Sequence, residues 1–332
     1  MRDDATVPGP TDQSELDLLR LRYPELSWRT ARRVTEGWDH VVLLLGGCAG
    51  PDARGHTDLV FRFPDGEYAP LLETEVAGLD LVAPLVEVTV PRYSHREHIS
   101  AARGVPVFGG YPTIRGDRLT PGVLGALPRA DVTTITDRLG GLLTELHRQD
   151  TSRPPLDRLP PAWPHEDRHH LREIATEELP SRLTADEMRE VHLILDGLDE
   201  LLDAPVTPVF LHGDVYSAHL FWEPGRAGAP GMSPVTPGRL GVIDFADMCL
   251  GDPAIDFAEL FEYGPRFVDE VFARYRGPRD ERLLDGLLDR AWDHQRLVAV
   301  YMLTDHVELG KQSWARARET FDRCRSSRRP RV

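Results

Sequence analysis

Cysteine is scarce in this 332-residue sequence, which has only Cys48, Cys249 and Cys324. Their spacing fits neither a metal-binding motif nor a disulfide framework, so we expect three reduced thiols. No apolar run is long enough to cross a bilayer, and the acidic stretch Met1–Asp4 lacks the apolar segment of a signal peptide. These absences argue against a disulfide-rich secreted protein and a membrane protein, and they predict a cytoplasmic location.

Positive charge is also in deficit, because 54 Asp and Glu residues outnumber 39 Lys and Arg residues and give a net charge of -15. This balance disfavours nucleic acid as a partner and favours a small cationic molecule. Hydrophobic residues make up 41% of the chain, which is enough for a substantial core divided over two lobes. We expect a monomer or dimer without nucleic-acid or membrane partners.

Apolar periodicity predicts a strand-rich first part and a helical remainder, after a disordered start at residues 1–11. Further strands are predicted to begin at Val90 and Val105, and the Pro/Gly-rich segment 223–239 is predicted to be a flexible loop. The first strands are predicted at Trp28–Val34, Val41–Leu45 and Leu59–Phe63. The helices are predicted at Asp12–Tyr23, Pro70–Val82, Asp131–Gln149, Glu166–Leu179, Thr184–Leu202 and in the last residues, about 283–318. A further helix is predicted to start at Pro253, with Asp252 as its N-cap, and to run through Glu259 and Glu262.

The stretch from Phe210 to Phe257 carries the residues on which a functional prediction depends. It contains His-Gly-Asp followed five residues later by a second histidine, then Ile-Asp-Phe, and then Asp-Pro-Ala-Ile-Asp-Phe. Each acidic residue stands beside a short apolar segment of strand character, a common position for enzyme chemistry. The polar members are His212, Asp214, His219, Asp244, Asp252 and Asp256.

These three linked motifs, in this order and spacing, resemble the aminoglycoside phosphotransferase family, which contains small-molecule relatives of the protein kinases. Three motifs together are much more specific than any one alone. The resemblance implies a bilobal, kinase-like α+β fold with an N-terminal antiparallel sheet lobe and a larger helical C-terminal lobe. It implies a nucleotide-binding lobe at residues 1–114 and a catalytic, substrate-binding lobe at residues 115–332.

Phosphoryl transfer needs an acceptor held in line and positive charge on the phosphates. The resemblance implies that Asp214 orients the acceptor hydroxyl and takes its proton, and that Asp244 holds Mg²⁺. His219 stands where protein kinases and most relatives have Asn. The histidine form resembles that of the macrolide phosphotransferases and of the enzymes acting at the 2″-hydroxyl of aminoglycosides. Because imidazole is a poorer Mg²⁺ ligand than oxygen, we expect His219 to bind the metal weakly or through water. Structural support falls to His212, Asp252 and Asp256.

Nucleotide-binding residues are also implied by the resemblance. Arg62, in the alternating segment Phe-Arg-Phe, matches the strand cation that grips phosphates, and Glu75 matches its partner. Solvated surface charges are the alternative for this pair. Gly37 lies in a turn able to arch over phosphates, although a plain hairpin turn explains it as well. The backbone near Thr113 and Ile114 matches the hinge that forms hydrogen bonds with the nucleotide base. This match does not distinguish ATP from GTP as the donor, although the histidine form slightly favours GTP.

Candidate acceptor-binding residues are acidic and follow the catalytic stretch. They are Glu259, Glu262, Asp305 and Glu308, and a solvated helix face is the alternative for the first two. Relatives acting at the 2″-hydroxyl carry a longer acidic cluster here, whereas this chain continues directly to Tyr-Gly-Pro. We expect an aminoglycoside antibiotic or its biosynthetic intermediate as acceptor, in resistance or in biosynthesis. The alternatives are a macrolide or other small-alcohol kinase and a non-catalytic nucleotide-binding pseudokinase.

Overall fold

The computed structural model describes residues 12–34, 40–64, 69–97, 108–204, 206–225, 237–278, 280–310, 313–325 and 328–330. Gly37, the predicted disordered start and most of the 223–239 segment lie outside this part. The chain divides into two compact units, one of residues 1–84 and 89–115 and one of residues 85–88 and 116–332. Within the described part, every helix is too short or too polar to serve as a membrane span.

The first unit is built on an antiparallel sheet, as the sequence predicts. Its elements are α1 (Asp12–Arg22), β1 (Thr30–Val34), β2 (His40–Gly46), β3 (Asp58–Pro64), α2 (Ala69–Val82), β4 (His95–Glu97) and β5 (Phe108–Pro112). The strand order is β1-β2-β3-β5-β4, so that β3 lies at the centre. Phe61 and Phe63 of β3 enter a core cluster with Leu19 of α1 and Phe108 of β5. Because side chains alternate along a strand, Arg62 between them belongs to the opposite face.

The prediction of a strand beginning at Val90 is wrong. Residues 90–93 lie outside regular structure, and the strand β4 starts only at His95. Pro91 lacks the backbone N–H that a ladder needs, which disfavours a paired strand at this point. The side chains of Val90 and Tyr93 are nevertheless buried, so the segment still contributes to the core of the first unit.

The second unit is mainly helical. Its helices are α3 (Pro121–Ala126), α4 (Arg129–His147), α5 (His165–Glu177), α6 (Ala185–Asp196), α7 (Leu198–Leu202), α8 (Ile255–Ala258), α9 (Pro265–Phe272), α10 (Leu287–Glu308) and α11 (Trp314–Arg323). Its strands are β6 (Asp117–Arg118), β7 (Val209–Leu211), β8 (Leu220–Glu223), β9 (Arg239–Val242) and β10 (Cys249–Gly251). They form a three-stranded sheet, β6-β8-β9, and a two-stranded sheet, β10-β7.

Two predicted helices differ from the structure. The helix predicted from Thr184 to Leu202 is split at Gly197, where glycine's poor helix propensity favours a break. The helix predicted to start at Pro253, capped by Asp252, starts instead at Ile255 and continues after four residues as a 3₁₀-helix over Glu259–Tyr263. The Asp252 carboxylate accepts a hydrogen bond from the Ala254 N–H (2.9 Å) in the turn before it.

Candidate active site

Pairing of β8 with β9 brings two of the predicted site residues together. Leu220 lies opposite Val242, and the N–H of Ile243 donates to the carbonyl oxygen of His219 (3.0 Å). His219 and Asp244 therefore lie at the same end of two neighbouring strands. Asp244 has a φ of 64°, a left-handed conformation that is uncommon outside glycine and clusters at functional sites.

The imidazole of His219 lies between Asp214, the predicted proton acceptor, and Asp244, the predicted metal ligand. Its Nδ1 is 2.9 Å from the carbonyl oxygen of Asp214 and 3.3 Å from Oδ2 of the same residue. Its Nε2 is 3.4 Å from Oδ2 of Asp244. A carbonyl oxygen can only accept, so Nδ1 carries a proton and Nε2 is the nitrogen presented to Asp244. The side chains of Asp214 and Asp244 are 28% and 35% exposed, so both can be reached from solvent.

Asp256 fixes the backbone of the loop of residues 212–219, which is called here the catalytic loop. Its buried carboxylate accepts hydrogen bonds from the N–H groups of His212 (3.0 Å) and Gly213 (2.8 Å) and lies 3.0 Å from Nε2 of His147. Burial alone raises the pKa of Asp256, but the bonds from His147 and the backbone hold this pKa below its ordinary value. Gly213 is required here, because its φ is 89° and a Cβ atom would collide with the Asp247 carbonyl oxygen.

His212 connects the catalytic loop to the end of β9. Its Nδ1 accepts from the Asp214 N–H (3.2 Å), and its Nε2 lies 3.2 Å from the Ile243 carbonyl oxygen. The two nitrogens thus take one acceptor and one donor role, as in a neutral imidazole. Burial lowers the pKa of His212 to about 4, in agreement with that state. The second supporting aspartate, Asp252, forms a two-point ion pair with Arg290 (2.6 and 3.2 Å).

Carboxyl groups are crowded around Asp214. Burial raises its pKa well above the ordinary value, and the carboxylates of Asp247 and Asp244 act in the same direction. Burial and the nearby Asp214 also raise the pKa of Glu259, whose side chain is hydrogen-bonded to Asp214. Because like charges in a partly buried site repel, a bound cation is electrostatically favoured here.

Of the four residues predicted to bind the acceptor molecule, two contact the catalytic loop and two belong to α10. Glu259 and Glu262 reach the catalytic loop, the latter accepting bonds from the Ser217 N–H and from its Oγ (3.0 Å). Asp305 is only 3% exposed within α10, and Glu308 pairs with His170 (2.7 Å). Spacing along the sequence could not distinguish these positions, because all four are acidic residues on helical segments. Their roles in binding stay predictions.

Arg62 and Glu75 form a buried ion pair in the first unit. One guanidinium nitrogen lies 2.9 and 3.1 Å from the two oxygens of Glu75, and the side chains are 6% and 1% exposed. Burial excludes the alternative of solvated surface charges. The Tyr93 hydroxyl donates to Glu75 (3.1 Å), a contact that the sequence did not indicate. The Thr113 N–H donates to the Asp58 carbonyl oxygen (3.0 Å), so of its backbone groups only the carbonyl can be offered to a base.

The residues near Asp244 fit an open magnesium site rather than a closed one. Among the described residues, no group of three or more His, Cys, Asp or Glu side chains could enclose a metal ion. Mg²⁺ in phosphate-transfer sites commonly has one or two carboxylate ligands, with phosphates and water completing its shell. The accessible Asp244 carboxylate, with His219 Nε2 at 3.4 Å, matches that donor set.

The chain matches the phosphotransferase enzyme family over residues 30–287. No curated protein gave a significant match. Among solved structures, the GDP complex of wild-type aminoglycoside 2′-phosphotransferase-IIIa has a TM-score of 0.71 and 21% identity, over 94% of this chain and 98% of that chain.

Two further similar structures are of enzymes whose names or complexes indicate different acceptors. The GDP and kanamycin complex of APH(2″)-IIIa has a TM-score of 0.68 and 22% identity, over 94% of this chain and 95% of that chain. The macrolide 2′-phosphotransferase MphH from Brachybacterium faecium has a TM-score of 0.58 and 20% identity, over 96% of this chain and all (100%) of that chain. At these identities the likeness establishes the fold, and it confirms the kinase-like α+β fold that the motifs predicted.

Proposed function

The chain belongs to the phosphotransferase enzyme family, and from this premise we propose that it transfers the γ-phosphate of ATP or GTP to a hydroxyl group of a small cationic molecule in the cytoplasm. The acceptor class we propose is an aminoglycoside or an intermediate of its biosynthesis. One observation carries the proposal: the His219 imidazole lies within 3.4 Å of carboxylate oxygens of both Asp214 and Asp244. This joins the proposed proton acceptor and the proposed metal ligand in one cluster.

In this mechanism, Asp214 accepts a hydrogen bond from the acceptor hydroxyl and directs a lone pair of the hydroxyl oxygen at the γ-phosphorus. A new P–O bond to the acceptor forms as the P–O bond to the leaving nucleoside diphosphate breaks. Asp244 and His219 would hold Mg²⁺, which would supply positive charge to offset that of the phosphates. Asp214 would take the hydroxyl proton in its ionised form, which nearby positive charge would favour. Asp256 keeps the catalytic loop fixed through its bonds to the backbone.

The nucleotide is assigned to the first unit, with residues 1–114 as the nucleotide-binding lobe and residues 115–332 as the catalytic lobe. Arg62 supplies the positive charge toward the phosphates, and Glu75 orients it through the buried ion pair. Gly37, which lies outside the described residues, is assigned to phosphate contact from its place in the sequence, and the backbone at Thr113 and Ile114 is assigned to the base. Both nucleotides are kept in the proposal, because related structures were solved with GDP and with ATP.

An aminoglycoside is favoured as acceptor by charge. Glu259 lies against Asp214, and Asp247 adds a further carboxylate, so protonated amines meet negative charge where the hydroxyl must be held. Glu262 borders the same position through Ser217. The related structures with kanamycin and gentamicin support the same class. A macrolide is the second candidate, because macrolide phosphotransferases share the fold with TM-scores of 0.56 and 0.58.

The test is release of nucleoside diphosphate in the presence of Mg²⁺, with ATP and GTP each combined with kanamycin, gentamicin, streptomycin and a macrolide. Acceptor-dependent release that is lost in Asp214→Asn supports the proposal, and mass spectrometry of the product should show one added phosphate. Release with the macrolide alone would assign the second acceptor class. Nucleotide binding without release for any acceptor would favour a pseudokinase and overturn the proposal.

A further inference from the structure

Tyr216 of the catalytic loop makes two ring contacts that the proposed mechanism leaves unexplained. Its ring packs against the His219 imidazole with 4.5 Å between centroids and 68° between planes. The guanidinium carbon of Arg316 lies 5.1 Å from the centroid of the same tyrosine ring. A line of contacts therefore runs from α11 through Tyr216 to the imidazole between Asp214 and Asp244.

Arg316 is well placed to hold a partner, because its helix is firmly fixed. Ser313 caps the start of α11 by accepting a hydrogen bond from the Arg316 N–H (3.2 Å). The neighbouring Ala317 and Phe321 are fully buried, while the Arg316 side chain is exposed. A guanidinium over an aromatic face is attracted by the ring and, being planar, also stacks on it. The backbone of α11 thus provides a rigid support for the cation.

We propose that Arg316 and Tyr216 are positioning residues that fix the ring orientation of His219. The inference rests on the proposed phosphotransferase function, because it concerns the nitrogen presented to Asp244. The hydrogen bond from Nδ1 to the Asp214 carbonyl oxygen restrains one edge of the imidazole. The Tyr216 ring restrains its face, and Arg316 in turn holds that ring in place. Without the two contacts, the face of the imidazole would lose this restraint. The direction of Nε2 toward Asp244 would then depend more strongly on the hydrogen bond at Nδ1.

A first test does not require turnover, so its result does not depend on whether the proposed function is correct. In ligand-free protein labelled with ¹⁵N-histidine, the His219 signals are identified by their loss in His219→Asn. We expect a protonated Nδ1 in the wild type, and shifted or broadened ring-nitrogen signals in Tyr216→Leu and Arg316→Ala. The matched control is Arg318→Ala on the same helix, whose side chain pairs with Glu187 instead, and which should leave the His219 signals unchanged.

His219 signals in Arg316→Ala that equal those of the wild type overturn the proposal. Signals that change equally in Arg318→Ala also overturn it, because the effect would then be a general loosening of α11. Melting temperatures of all variants show whether each protein is folded. Tyr216→Phe keeps the ring but loses the hydroxyl, which is also hydrogen-bonded to Arg316, so its His219 signals should lie closer to those of the wild type than the signals of Tyr216→Leu do.

A second test uses kanamycin as acceptor. Losing an exposed cation–π contact should lower kcat by roughly 3- to 5-fold in Arg316→Ala, with KM for the nucleotide unchanged. Arg316→Lys should restore most of the rate, because it keeps a cation over the ring. In the Tyr216→Leu background, Arg316→Ala should have no further effect. An equal loss in both backgrounds overturns the proposal, and if kanamycin is not phosphorylated the NMR comparison decides alone.

Discussion

Nε2 of His147, at the end of α4, lies 3.0 Å from the carboxylate of Asp256, 109 residues further along the chain. Neither side chain is exposed to solvent. His147 also contacts the Tyr275 hydroxyl through Nδ1 (2.6 Å), so it connects three segments of the second unit. The carboxylate that fixes the catalytic loop is thus itself fixed by a helix distant in sequence. Substitution of Asp256 therefore measures how strongly the conformation of the loop depends on one residue.

We predict that Asp256→Ala lowers the free energy of unfolding by about 3 kcal/mol, because it leaves buried donors of His147 and the loop without an acceptor. Turnover should be lost as well, because the catalytic loop loses its restraint. Urea denaturation of the variant and the wild type checks the first effect. Asp322→Ala, at an exposed position of α11, is the control and should change stability by less than about 0.5 kcal/mol.

His219→Asn is predicted to keep phosphotransferase activity. An amide oxygen is a better Mg²⁺ ligand than an imidazole nitrogen, so the variant should also reach half-maximal rate at a lower Mg²⁺ concentration. His219→Leu, which offers no ligand, should lose most of the rate. A Mg²⁺ titration of the initial rate distinguishes the three proteins, and EDTA should abolish activity in all of them. Complete loss in His219→Asn would show that the imidazole has a role beyond metal binding.

The first three strands of the first unit were predictable because local sequence determines them. β1, β2 and β3 lie within two residues of their predicted bounds, and alternation in β3 correctly separated Arg62 from its aromatic neighbours. Pairing of β8 with β9 then brings His219 and Asp244 to one end of a hairpin.

Contacts between distant helices were not predictable in the same way. Nothing in the sequence near His147 or Arg316 indicates a partner, because their contacts depend on how α4 and α11 pack in the second unit. The change from α8 to a 3₁₀-helix was also missed. There the side chains of Glu259 and Glu262 bond to Asp214 and Ser217 of the catalytic loop, a tertiary effect that overrides helix periodicity.

Acid should destabilise the protein through buried neutral histidines. Burial lowers the pKa of His294 to about 4, as it does for His212. An unfolded histidine titrates near 6.5, so the unfolded state binds more protons and stability falls as pH decreases from about 6.5 to 4, by up to about 3 kcal/mol per residue. His294→Leu should flatten this slope in urea denaturation between pH 7 and 5. The exposed His192→Leu is the control, and a slope unchanged by His294→Leu would contradict the prediction.

The contacts among Arg62, Glu75 and Tyr93 should contribute both to the stability of the first unit and to its affinity for the nucleotide. Arg62→Ala leaves the buried Glu75 charge without its cation and should lower the free energy of unfolding by about 3 to 5 kcal/mol. Tyr93→Phe removes one hydrogen bond to Glu75, which should cost about 1 kcal/mol and raise KM for the nucleotide a few-fold, because Arg62 is less well oriented. The KM for the acceptor should stay constant. Equal changes in both KM values would show that Tyr93 acts on more than the nucleotide-binding unit.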